Sequence, residues 1–266
     1  MTTNYLDSAG GRIAFDVTGE GSLVVCVPGM GDTRATYRHL VPRLVEAGYR
    51  VATMDLRGHG DSDTSFASYD DVAGAHDVAL LIAHLGGPAT IVGNSMGAAI
   101  GVIVAAEHSE LVSGLALLGP FVRNGSVNPA LAAMMRVLLA PPLVAATWKA
   151  YLPSLYAGDT PADQAEHLAA VAAAIRAPGH RTAVSRTMRT SHAPSEAVLP
   201  RVSTPVLVVM GELDPDFPSP QAEAEWIVGA LGGRVVMVPR AGHYPQSQRP
   251  DVVAPAIVSW MSEHSA

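Results

Sequence analysis

The sequence of 266 residues predicts an α/β fold, a mostly parallel sheet of about eight strands with helices on both faces and an inserted helical cap. Three observations predict it. Short continuous apolar runs recur along the chain, as strands buried on both faces require. Longer helical patterns separate most of them, which is the rhythm of strand, crossover helix and strand. One alanine-rich stretch, 121–200, has no strand pattern and reads as helices alone. The length fits one sizeable domain with an insertion better than two cores, so 1–120 and 201–266 form the predicted core and 121–200 the predicted cap.

The elements follow in order. Two alternating segments, Tyr5 to Ser8 and Arg12 to Val17, read as a hairpin turned by Ala9-Gly10-Gly11. Buried strands are expected at Leu23 to Val27, Val51 to Asp55, Thr90 to Gly93, Leu115 to Gly119, Val206 to Met210 and Val235 to Val238. Helices are expected at Ala35 to Ala47, Asp71 to Leu85, Met96 to His108, Pro220 to Leu231 and Pro250 to Glu263. The cap carries seven basic residues against four acidic ones, in a chain whose net charge is −7.

Composition narrows the function classes. At 48% hydrophobic and 15% charged residues the chain is that of a folded protein. The acidic balance offers no basic footprint for nucleic acid. No apolar run approaches a membrane span, and the first residues lack the basic start and apolar core of a signal peptide, so a cytoplasmic protein without membrane partners is expected. The single cysteine, Cys26, sits in an apolar run and reads as a small buried hydrophobe. No His-Glu-x-x-His or paired-cysteine spacing suggests a metal, and neither a metal nor an organic cofactor is expected. The sequence is silent on oligomeric state.

The chemical signal is strongest at Gly93-Asn94-Ser95-Met96-Gly97, directly after one predicted strand and directly before a predicted helix. A Gly-x-Ser-x-Gly on such a tight turn holds its serine in a strained conformation and pushes the hydroxyl out above the sheet edge. The helix that follows turns its N-terminus toward the site, where free N–H groups favour developing negative charge. Ser95 is therefore the candidate nucleophile. A serine needs a base, itself oriented by a third group, and in this architecture the acid and the histidine come from later strand ends. Asp214, in Gly211-Glu212-Leu213-Asp214-Pro215-Asp216, is the preferred acid over Asp216, being nearer the strand end. His243, in Ala241-Gly242-His243-Tyr244-Pro245, is the preferred base among 10 histidines because it follows the last strand. His59 follows an earlier strand and suits a loop-stabilising role. The N–H of Met96 and that of Met30, in Val27-Pro28-Gly29-Met30-Gly31, are the candidate oxyanion donors. Arg34 stands where a dinucleotide fingerprint would need its third glycine.

With these motifs in place the chain resembles the α/β-hydrolase superfamily over essentially its whole length. Val27 to Gly31 looks like the family's oxyanion turn, with Pro28 where His is common. Asp55-Leu56-Arg57-Gly58-His59-Gly60-Asp61-Ser62 is similar to the loop after the fourth strand, Gly93 to Gly97 to the nucleophile elbow, and Gly242-His243 to the histidine loop. The resemblance implies that the cap covers a pocket for a small-molecule substrate, with Met134, Leu138, Trp148 and Leu155 as candidate lining. It implies a hydrolase cleaving a carboxylic ester or lactone through an acyl-serine. Alternatives are a carbon–carbon bond hydrolase of the meta-cleavage-product type, whose substrate carboxylate would be held by Arg186 or Arg189, and a cofactor-free perhydrolase or haloperoxidase. A small-molecule receptor on the same scaffold is the reading from another class. Epoxide and haloalkane hydrolases carry aspartate where this chain has Ser95.

Overall fold

Asn4–Ser8 (β1) and Gly11–Thr18 (β2) form the expected antiparallel hairpin in the computed structural model, which describes residues 3–125 and 128–264. The opening residues 1–2 and two residues of the predicted cap, 126–127, lie outside the described ones. The remaining strands are Leu23–Val27 (β3), Arg50–Met54 (β4), Ala89–Asn94 (β5), Val112–Leu118 (β6), Val206–Gly211 (β7) and Arg234–Val238 (β8). They make one eight-stranded sheet in the order β1-β2-β4-β3-β5-β6-β7-β8. Only β1 with β2 and β2 with β4 run antiparallel; every later pairing is parallel.

The helices are Val41–Glu46 (α1), Asp71–Leu85 (α2), Met96–Glu107 (α3), Pro129–Leu138 (α4), Pro141–Tyr151 (α5), Gln164–Arg176 (α6), His180–Thr187 (α7), Ala193–Val198 (α8), Pro220–Leu231 (α9), Pro245–Gln248 (α10) and Pro250–His264 (α11). Alternation along the strands builds a core on each face. In β3, Val25 and Val27 join a cluster with Val78, Ile82 and Ile100 of α2 and α3, while Val24 and Cys26 join Leu44 of α1 and Ile257 of α11. Burying each such side chain stabilises the fold by about 1.5–3 kcal/mol. Burial also pushes the Cys26 thiol up, as expected of an inert core residue. No single helix among the described residues is long and apolar enough to cross a membrane.

Helix ends follow the local chemistry. Asp70 caps α2 by accepting the Ala73 N–H at 2.9 Å, and Gly86 closes it at φ 85°. The helix expected over Ala35 to Ala47 is instead a 3-10 turn, Arg34–Tyr37, followed by α1. Pro42 has no N–H to bond and its ring crowds the Arg38 carbonyl, which disfavours a helix running through it, and α1 instead starts beside it, with Pro42 in its first turn. The turn is pinned by Tyr37, fully buried, whose single hydroxyl proton is shared between the carbonyls of Val27 and Val92 at 2.7 and 2.9 Å.

Between β6 and β7 the described residues form helices and no strand. This segment has its own apolar cluster, including Val144, Trp148, Leu155, Val171 and Val184, and the cluster takes in Tyr244 from beyond β8. Polar ties fasten it to the strand-bearing part. Arg38 donates to Asp163 at 2.7 and 2.8 Å, and Asp71 lies 2.8 Å from His192 Nδ1. His167 Nε2 is within ion-pair distance of buried Asp32 at 3.1 Å, without the alignment of a hydrogen bond.

Candidate active site

The turn between β5 and α3 places Ser95 at φ 56°, ψ −120°, a conformation that costs a residue with a side chain about 1–3 kcal/mol. Surrounding bonds hold it there. Its N–H donates to the Leu118 carbonyl at 3.0 Å, and its own carbonyl accepts from Ala98 at 3.0 Å and Phe121 at 3.3 Å. The glycines around it are steric necessities. A Cβ on Gly29 would stand 2.7 Å from Ser95 Cβ, one on Gly93 would strike the Gly97 carbonyl, and one on Gly97 the Val27 carbonyl.

His243 lies on the loop after β8 and Asp214 on the loop after β7. Both are about 2% exposed, and His243 Nδ1 is 2.8 Å from Asp214 Oδ2. A carboxylate accepts, so Nδ1 carries the proton and Nε2 is left as the basic nitrogen. The loop is fixed from two sides: the His243 N–H donates to the Leu155 carbonyl at 2.8 Å, and Asn94 Nδ2 donates to the His243 carbonyl at 3.1 Å and to the Leu118 carbonyl at 2.9 Å. Asp214 Oδ1 in turn accepts the Asp216 N–H at 3.1 Å. Burial disfavours the charged form of the His243 ring. The charge of Asp214 and its hydrogen bond outweigh this, with smaller help from Asp216 and Asp32, so its pKa stands above the usual histidine value.

The glycine-bracketed turn after β3 sits beside Ser95. Gly31 N–H donates to His59 Nε2 at 3.0 Å, while His59 Nδ1 lies 3.1 Å from the Arg57 carbonyl. His59 is thus neutral, protonated on Nδ1, and burial lowers its pKa to about 4. It buttresses the turn, as its sequence position suggested. Among the hydrogen bonds of the described residues none takes the N–H of Met30 or Met96. Arg34 is held by Asp16 at 2.7 Å, Asp61 at 2.8 Å and Asp55, so it belongs to an ion-pair network that braces the same loops.

A cavity of about 200 Å³ opens on Ser95 and His243. Its walls are mainly apolar, among them Met30, Phe121, Trp148, Leu155 and Met188. A larger cleft of about 660 Å³ runs beside Arg34 and α6 and contains neither Ser95 nor His243. Of the four predicted lining residues, Trp148 and Leu155 are there, and Trp148 Nε1 also donates to the Gly31 carbonyl at 2.7 Å. Met134 and Leu138 are not; Met135 and Leu139, one position on, take their place, and Met134 is 52% exposed. One residue is about 100° of helical rotation, and α4 is apolar on too many sides for its sequence to mark the inward stripe. Arg186 and Arg189 do not line the cavity: Arg186 donates to the Ala67 carbonyl and Arg189 to the Arg136 carbonyl. Sequence reasoning did not find Phe121, Met188, His192 or Tyr151, which reach the cavity from helices and turns with no motif of their own.

Asp214, Asp216 and His243 offer ligand atoms within 4.8 Å of one another, a spacing that could hold a metal ion. The 2.8 Å separation of Nδ1 and Oδ2 is that of a charge-assisted hydrogen bond, so the same atoms are already engaged with each other.

The model of the alpha/beta hydrolase family matches residues 24–256. The chain belongs to the α/β-hydrolase family. It is an α/β-hydrolase enzyme, similar at 30% identity to the 2-(acetamidomethylene)succinate hydrolase of Mesorhizobium japonicum over 94% of this chain and 92% of that protein. It is 28% identical to a probable esterase of Oryza sativa subsp. japonica over 91% of this chain and 93% of that one. Among solved structures, a thermophilic esterase from Thermogutta terrifontis superposes with a TM-score of 0.79 at 26% identity, covering 100% of both chains.

Proposed function

We propose that this α/β-hydrolase cleaves the carboxylic ester or lactone of a small apolar molecule through an acyl-serine intermediate on Ser95. One observation carries the reading: Ser95 on its strained turn and His243, hydrogen-bonded to Asp214 at 2.8 Å, line the same apolar cavity. In the proposed reaction His243 Nε2 takes the Ser95 proton as Oγ attacks the substrate carbonyl, and returns it to the leaving alcohol. Asp214 holds the ring in the Nδ1-protonated tautomer and balances the imidazolium charge that forms. The N–H groups of Met30 and Met96 receive the oxyanion, and His59 keeps the Met30 turn in place from behind. Water, activated by the same histidine, then releases the acid. The helical segment between β6 and β7 acts as a cap whose Met135, Leu139, Trp148 and Leu155 exclude bulk water from the acyl group.

The relatives named esterase and hydrolase support the reaction class. Ser95→Ala tests it. Turnover of short-chain p-nitrophenyl esters and labelling by a fluorophosphonate probe are both lost in the variant if Ser95 is the nucleophile, whereas turnover equal to that of the parent rejects the proposal.

A further inference from the structure

The cavity on Ser95 is apolar on most sides, yet one carboxylate group with no part in the proposed proton transfer opens into it. Asp216 lines the cavity with its side chain 17% exposed. The Tyr151 hydroxyl donates to its Oδ1, and its Oδ2 stands 3.7 Å from His243 Nδ1. Burial and the neighbouring Asp216 push the Tyr151 phenol up, which keeps it a donor. Backbone and side chain are therefore both anchored, because the Asp216 N–H is itself bound to Asp214 Oδ1 at 3.1 Å.

The two acidic residues differ in what they face. Asp214 is 2% exposed and does not line the cavity; its oxygens meet His243 and the Asp216 N–H. Asp216 adds negative charge to the cavity wall itself. Among the described residues no lysine or arginine lines it there. Arg186 is committed to the Ala67 carbonyl and sits 4.8 Å over the Tyr69 ring, and His192, the remaining basic side chain of the wall besides His243, has Asp71 at 2.8 Å. His243 has to be neutral to take the Ser95 proton, so in the reactive form a substrate carboxylate entering this space would meet the Asp216 charge in surroundings too apolar to screen it.

We infer that Asp216 is a charge selector of this site: it rejects substrates with a negatively charged acyl chain and favours neutral or positively charged ones. The inference rests on the reading of Ser95 as nucleophile and adds the substrate class. It also weighs against ring-cleavage acids as substrates, since the arginines that would have held their carboxylate lie outside the cavity.

Two isosteric pairs test it at one pH: p-nitrophenyl hydrogen glutarate against p-nitrophenyl 5-methylhexanoate, and p-nitrophenyl 4-(trimethylammonio)butanoate against p-nitrophenyl 5,5-dimethylhexanoate. The readout is the ratio of kcat/KM within each pair, so a change in active fraction or in His243 basicity cancels. In the parent protein the anionic ester is expected to fall at least about tenfold below its neutral partner, the size that one nearby like charge produces in poorly screened surroundings. Asp216→Asn is expected to raise that ratio about tenfold and to lower the cationic ratio. Equal rates for the anionic and neutral esters in the parent, or ratios unmoved by the substitution, overturn the inference alone. Lack of Ser95-dependent turnover of the neutral esters overturns the esterase reading and this inference with it.

Discussion

The strand ends and the helical segment above them differ in how tightly the chain constrains each residue. Around Ser95, backbone contacts leave no freedom: three glycines lack room for a Cβ, and the loops of Asp214 and His243 are tied to each other and to Asn94. In α4 no described residue is buried, and side chains on several faces are apolar. The contrast teaches that residues fixed by close backbone approach leave a readable pattern of glycines and apolar runs, while residues fixed by helix rotation leave almost none.

The largest expected effect separates the two carboxylates at the strand ends. Asp214→Asn removes the acceptor that sets the His243 tautomer and should lower kcat on neutral esters by about 10⁴-fold. Asp216→Asn should cost far less on the same esters, and steady-state kinetics that reverse this order would exchange the two roles.

The buttress under the Met30 turn gives the next effect. His59 is buried neutral with a folded pKa of about 4, below the usual value, so its stabilising contribution is full above the unfolded pKa and is lost as pH falls from there toward about 4. Denaturant unfolding of the parent should weaken by up to about 3 kcal/mol more than that of His59→Gln over this interval. Identical pH dependence in the two proteins would mean that His59 is not buried neutral.

The helical segment is sharpened by truncating neighbours on α4 and at its end. Met135→Ala and Leu139→Ala each remove apolar wall and should raise KM for medium-chain esters about tenfold, the size of about 1.4 kcal/mol of lost burial. Met134→Ala and Leu138→Ala should leave KM within about twofold. The opposite result would restore the phase expected from the sequence.

The smallest effect is in the pH profile. The proposed base must be neutral to act, so kcat/KM should rise with pH through the His243 pKa, which lies above the usual histidine value because of Asp214 and, to a lesser degree, Asp216. In Asp216→Asn that limb should move to lower pH, as a contributing negative charge is gone.

These differences also explain what the sequence made legible. The described strands lie close to where continuous or alternating apolar runs placed them, and for β3 to β7 this is because a strand buried on two faces must be apolar throughout; β8, expected as a buried strand, is an edge strand in which only Val238 is buried. Gly-Asn-Ser-Met-Gly marked its turn because no side chain fits beside Ser95. The break between Tyr37 and Val41 was signalled by Pro42, which favours the first turn of a helix over its interior, but the place where the preceding turn is pinned depends on the buried hydroxyl of Tyr37, which no local pattern marks. Met135 for Met134 and Leu139 for Leu138 were indistinguishable because α4 offers apolar side chains in both phases. Tyr151 and Asp216 meet across 65 residues, a pairing that no local pattern announces.

The most direct test of the central claim is mass spectrometry of the protein quenched during turnover of a slowly deacylating p-nitrophenyl ester. An acyl adduct on the peptide containing Ser95, formed as fast as p-nitrophenol is released and undetectable in Ser95→Ala, is the expected result. Release of p-nitrophenol at the same rate with no adduct on Ser95, or with the adduct on another side chain, would contradict it.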